Sequence, residues 1–173
     1  MASQGSNREN PHRGRPRTGS RVAAVQALFQ AEQAGTASET VIDEFIRHRF
    51  GAAPADTSAD ESFADGRIPE AHVPLFASIV RTATAQQDTL DPAIAAVLPD
   101  EWPLERLDPV LRALLRAGTA ELWSADGPPA RVVINEYLDV AHGFFDGEEP
   151  SMANGVLDRL ARRLRPAEFP ASE

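Results

Sequence analysis

Two absences narrow the chemistry before any motif is read. The 173 residues contain no cysteine, which removes disulfides, thiolate metal sites, iron–sulfur clusters and thiol nucleophiles. Nothing then ties the chain to an oxidising compartment, and a cytoplasmic protein is the expectation. Lysine is missing too, since all 17 cationic side chains are arginine. That excludes Schiff-base lysine chemistry and a Walker-type phosphate loop, both of which need an amine. No apolar run approaches the roughly 18 residues of a membrane span, and the arginine-rich start lacks the apolar segment of a signal peptide.

Catalytic and metal patterns are just as scarce. His12, His48, His72 and His142 stand in separate segments, with no HExxH, GxSxG or paired Cys/His spacing. Glu136, Asp139 and His142, three residues apart, form the best metal candidate, because Asp-x-x-His places two ligands on one helix face. A carboxylate-bridged site needs a second copy, which the chain does not have, and a solvated helix face is the ordinary reading. No metal, cofactor or catalytic residue is expected.

What is present is uneven charge. Residues 1–21 hold five arginines (Arg8, Arg13, Arg15, Arg17, Arg21) and one acid, Glu9, a surplus of four positive charges. The other 12 arginines face 25 acids, so the body carries −13 of the total −9. An acidic body repels polyanions, whereas a local arginine cluster contacts phosphate and stacks on unpaired bases. The spacing predicts a flexible arginine-rich arm over 1–20 and a helical domain over 21–173.

Apolar content is 42%, enough for a packed core. Val22, Val25, Leu28 and Phe29 repeat at helical spacing to Gly35, and Val41, Ile42, Phe45, Ile46 and Phe50 do so to Gly51. Residues 51–69 read as an acidic flexible loop. Val73, Phe76, Val80 and Ala83, then Leu90, Ile94, Val97 and Leu98, give two further stripes. Asp108-Pro109 is a helix start, with a side-chain acceptor at the cap and proline in the first turn. The helix it opens is apolar on more than one face, as suits a central position. Pro128-Pro129 opens the next helix, closed at Asp146-Gly147, and a last one runs from about Ser151 to Leu164. No alternating strand pattern appears. The fold class is all-α, about six or seven helices in two small subdomains, about 21–86 and 87–166. Trp102 and Trp123 read as packing residues, and Asn154-Gly155 marks a close approach or a bend in the last helix.

Four segments together, RVAAVQALFQAE (21–32), WPLERLDPVLRALLRAGTAEL (102–122), PPARVVINEYLDVAHGFF (128–145) and NGVLDRLARRLRP (154–166), resemble the bacterial transcription antitermination factor NusB family. The match spans nearly the whole chain in order. It implies a NusB-like helical bundle with no enzymatic activity, binding single-stranded boxA-like RNA together with NusE, a ribosomal protein, in an antitermination complex with RNA polymerase. Carried over by position, the RNA surface comprises Arg13, Arg15, Arg17, Arg21, Gln26 and Phe29. Ser151 and Met152 occupy a second patch where the family commonly has a basic residue and a phenylalanine. Glu105, Asp108, Leu111 and Arg112 are the partner-binding candidates. Monomer and homodimer both stay open. The alternative is a stand-alone module related to the N-terminal domain of ribosomal RNA cytosine methyltransferases.

Overall fold

The computed structural model describes residues 16–50 and 71–171. The arm over 1–15 and the acidic loop lie outside the described residues. Among the latter are seven α-helices and two short 3-10 turns: α1 (Pro16–Ala34), α2 (Ser38–His48), α3 (Val73–Ala85), α4 (Gln87–Ala95), α5 (Pro109–Trp123), α6 (Ala130–Phe144) and α7 (Glu149–Leu164). No strand occurs among these residues.

α5 is the axis. It packs on α1, α3, α4, α6 and α7, while α1, α2 and α3 pack mutually on one side and α6 and α7 on the other. Its buried side chains, from Leu111 through Leu122, surround the helix, which explains its lack of a single apolar stripe. Asp108 starts it as expected: Oδ1 accepts from the backbone N–H of Val110 at 2.8 Å and of Leu111 at 3.3 Å. Its last carbonyls are held by one side chain from the end of α7. Arg165 donates to the carbonyls of Glu121, Leu122 and Ser124 at 2.8, 2.9 and 2.7 Å, satisfying groups that a helix end otherwise leaves open.

The close approach of α7 to α5 is made at a glycine other than the one the sequence suggests. A Cβ at Gly118 would lie 2.9 Å from Leu157 Cδ2, so α7 seats its leucine against bare α5 backbone. Gly155 has nothing within 4 Å of its would-be Cβ, and α7 runs helical through it. α1 ends at Gly35, whose φ of 61° is a left-handed turn that glycine adopts without steric penalty.

The start of α1 differs from expectation. The helix begins at Pro16 rather than Arg21, so residues 16–20 belong to the folded body and not to the arm. Thr18, Gly19 and Ser20 are poor helix formers, and tertiary contacts override them. Ser20 is fully buried and its hydroxyl donates to the His72 carbonyl at 2.8 Å. Thr18 is tied to α6.

Candidate nucleic-acid interface

Arg21 lies in the apolar stripe of α1, one and two turns before Val25 and Leu28, and its side chain is only 2% exposed. A buried guanidinium requires anionic partners, and α5 and α6 supply them. Nε and Nη2 donate to the two Glu121 carboxylate oxygens at 2.7 and 2.9 Å, a bidentate fork, and Nη1 reaches Glu136 Oε2 at 3.3 Å. Burial works against the charged guanidinium, but the Glu121 hydrogen bonds and the two carboxylates outweigh it and raise Arg21 above its ordinary value. Tyr137 lies beside this pair; burial first, then the Glu121 charge, push its phenol well above the usual range. Arg21 is therefore a core anchor: its Nε, Nη1 and Nη2 each donate to a carboxylate inside the protein, and its burial keeps it from the open surface where a phosphate would be met.

Arg17, one turn earlier, is exposed. Arg13 and Arg15 lie outside the described residues. Gln26 and Phe29 come together as expected, lining a groove of about 440 Å³ with Gln30, Gln33, Phe45 and Arg49. The Arg49 guanidinium sits over the Phe45 ring, 4.7 Å from its centroid. Phe29 is half-buried against the core, leaving part of its ring at the groove. Arg49, just past the end of α2, lines the same groove although nothing in its local sequence singles it out, because only the α1–α2 packing brings it to Phe29.

Ser151 and Met152 stand on the first turn of α7, Ser151 exposed and Met152 half-buried against the core. That helix packs on α4, α5 and α6.

The partner candidates separate into two kinds. Leu111 is 1% exposed, on the buried side of α5, and Asp108 caps the helix; both hold structure. Glu105 and Arg112 line a second groove, of about 520 Å³, with Glu32, Asp91, Leu104 and Arg116. Within it Glu32 bridges Arg112 and Arg116, and Arg116 holds Asp91 through two bonds of 2.8 Å. Arg112 Nη1 also donates to the Leu104 and Leu107 carbonyls at 3.2 and 3.1 Å. The Arg112 hydrogen bonds lead burial and Arg116 in setting the Glu32 carboxyl, which is held below its ordinary value.

The metal candidate resolves differently from its spacing. Glu136 is committed to Arg21 and Thr18, while Asp139 and His142 are exposed. Among the described residues no three His, Cys, Asp or Glu side chains converge for a metal, and no helix is long and apolar enough to cross a membrane.

These features define a class: an all-α protein organised on a buried central helix, with an arginine-led first helix locked to it by a buried ion pair. Comparison with known proteins makes the class specific. The NusB family profile matches residues 18–162. The transcription antitermination protein NusB of Granulibacter bethesdensis is 66% identical over 157 residues, covering 91% of this chain and 94% of that protein. NusB of Gluconobacter oxydans is 57% identical, covering 89% and 91%. The solved structure of T. maritima NusB superposes with a TM-score of 0.64 at 25% identity, covering 90% of this chain and 97% of the other. A complex of antitermination factors NusB and NusE with dsRNA contains a chain of the same fold, at TM-score 0.62, 22% identity and coverage of 86% and 97%. The chain belongs to the NusB family.

Proposed function

We propose that this chain is a transcription antitermination factor that binds single-stranded, boxA-like RNA together with NusE and joins transcribing RNA polymerase during ribosomal RNA synthesis. It acts in the cytoplasm by binding, without catalysis. The observation that carries this reading, beside family membership, is the start of α1: exposed Arg17 continues an arginine-rich segment directly into a rigid helix.

We assign RNA contact to Arg13, Arg15 and Arg17 together with the Gln26–Phe29 groove, where Arg49 supplies a further cation. Arginines there neutralise phosphate, and a half-exposed ring beside amide side chains suits a stacked base with its edge hydrogen-bonded. Ser151 contributes a hydroxyl at a weaker second patch. The acidic body, −13 outside residues 1–21, favours a basic protein such as NusE docking beside the RNA, neutralising the repulsive field. The groove bearing Glu105 and Arg112 is the surface we assign to it.

Fluorescence anisotropy with a boxA-like strand and a scrambled strand, with and without cognate NusE, tests the reading. Preference for the boxA-like strand is expected, with a log–log salt slope of about −2 to −3.5 if three to five phosphates are contacted. NusE should tighten RNA binding, and RNA should tighten NusE binding by the same factor. Equal affinity for the two strands, or no effect of NusE, overturns it.

A further inference from the structure

The segment that presents Arg17 is weakly helical by itself. Thr18, Gly19 and Ser20 follow one another in the first turns of α1, and glycine inside a helix is less favourable than alanine. Its helical geometry is imposed from outside. On one side Ser20 is bonded to the His72 carbonyl; on the other, Glu136 of α6 accepts from the Thr18 hydroxyl at 3.0 Å and from Arg21 Nη1 at 3.3 Å through the same oxygen, Oε2. Glu136 thus spans the first turn of α1 from a helix 115 residues away in sequence. A carboxylate there also complements the positive end of the α1 dipole.

The geometry points to Glu136 as a positioning residue for the RNA surface: through Thr18 and Arg21 it holds the first turn of α1 helical, so that Arg17 is presented to RNA from a fixed helix. This rests on the RNA-binding reading above. Glu136 need not touch RNA, and its charge gives the test a sign. As a mere surface carboxylate near phosphate it would repel RNA, and its removal would tighten binding. As a positioning residue its removal weakens binding, because ordering the segment must then be accomplished at the moment of association.

RNA affinity of the full-length chain is measured for Glu136→Ala, Thr18→Val, Thr18→Ser and the double variant Glu136→Ala/Thr18→Val, all at a temperature where circular dichroism shows the fold intact. Glu136→Ala and Thr18→Val are expected to weaken boxA-like RNA binding by about three- to tenfold, the factor that one hydrogen bond's net worth represents. Thr18→Ser, which keeps the donor, binds as wild type does, and the double variant is no weaker than Glu136→Ala, since Glu136→Ala has already removed the Thr18 contact. Amide exchange supplies the second readout. The N–H groups of residues 20–22, whose helical acceptors are the carbonyls of residues 16–18, should exchange faster in Glu136→Ala and Thr18→Val.

Wild-type or tighter affinity in Glu136→Ala overturns the inference. So does an additive loss in the double variant, which would put the Thr18 hydroxyl on the RNA directly. Should Glu136→Ala not fold, unaltered affinity in Thr18→Val overturns it alone. Absence of RNA binding by the wild-type chain defeats the RNA-binding reading instead, and amide exchange then still reports whether Glu136 holds the turn.

Discussion

The two ends of α1 are held by arginine–carboxylate networks of similar composition and different exposure. At its start, Arg21, 2% exposed, sits between Glu121 at 5% and Glu136 at 18%. At its end, Glu32, 31% exposed, takes Arg112 and Arg116 of α5, and Arg116 also holds Asp91 of α4. Both networks join α1 to α5, yet burial gives them different work. The inner one makes an obligatory match, because an unpaired Arg21 or Glu121 would be a charge in the core. The outer one borders a groove open to water, where its members can be re-solvated and rearranged against a partner. One end of the helix is built for fixed presentation and the other for adaptable contact, as an RNA site and a protein-docking site respectively would use.

The largest expected effect comes from breaking the inner network. Arg21→Ala strands the Glu121 carboxylate in the core, and leaving one partner of a buried pair destabilises by about 3–5 kcal/mol. Urea unfolding reads this as a fall in midpoint. Arg21→Leu with Glu121→Leu removes the stranded charge, and should recover most of the loss because Glu136 is partly exposed and can turn to water. If the double variant is as unstable as Arg21→Ala, the loss comes from packing rather than from the stranded charge.

The outer network should respond less, and to pH. Its Glu32 carboxyl is held below the ordinary value of 4.5, first by Arg112 hydrogen bonds. A carboxylate depressed on folding contributes stability that is present above its unfolded value and lost as pH falls through its folded one. Glu32→Gln should therefore lower stability by about 1 kcal/mol at pH 7, and by progressively less as pH falls below 4.5. Urea midpoints for both proteins between pH 3 and 7 should converge at the acid end; a constant gap across that range would show that shape, not charge, matters at this site.

The contrast between the two ends was only partly legible in the sequence. Boundaries set by local chemistry were readable: Asp108-Pro109 opens α5 and Pro128-Pro129 precedes α6 because cap and proline act within one turn. The start of α1 was not, because Thr18-Gly19-Ser20 argues locally against helix and the contacts that override it come from His72 and Glu136. Arg21 looked like a phosphate ligand from its place in an arginine-rich run. Its register with Val25 and Leu28 was the available signal of burial, but its carboxylate partner lies 100 residues on, a distance that helical periodicity does not reach. Gly118 was hidden for a related reason: its role depends on which face of α5 receives Leu157.

The smallest expected effect marks the far end of the same scale. Arg81 and Glu39 form a bidentate pair at 2.7 and 2.9 Å, shorter on paper than the Arg21 contact with Glu136 at 3.3 Å. Distance alone would rank it among the strong interactions. Both side chains are more than half exposed, however, at 56% and 63%, so the folded pair replaces good hydration rather than escaping its absence, and holding two long side chains still offsets the attraction. Arg81→Gln should leave the urea midpoint unchanged within error, and raising salt toward 1 M, where the screening length falls to about 3 Å, should leave wild type and Arg81→Gln indistinguishable. The same salt should not narrow the gap between wild type and Arg21→Ala, because ions do not enter the core. A midpoint loss in Arg81→Gln comparable to that of Arg21→Ala would mean that hydrogen-bond geometry, and not burial, sets the strength of these networks.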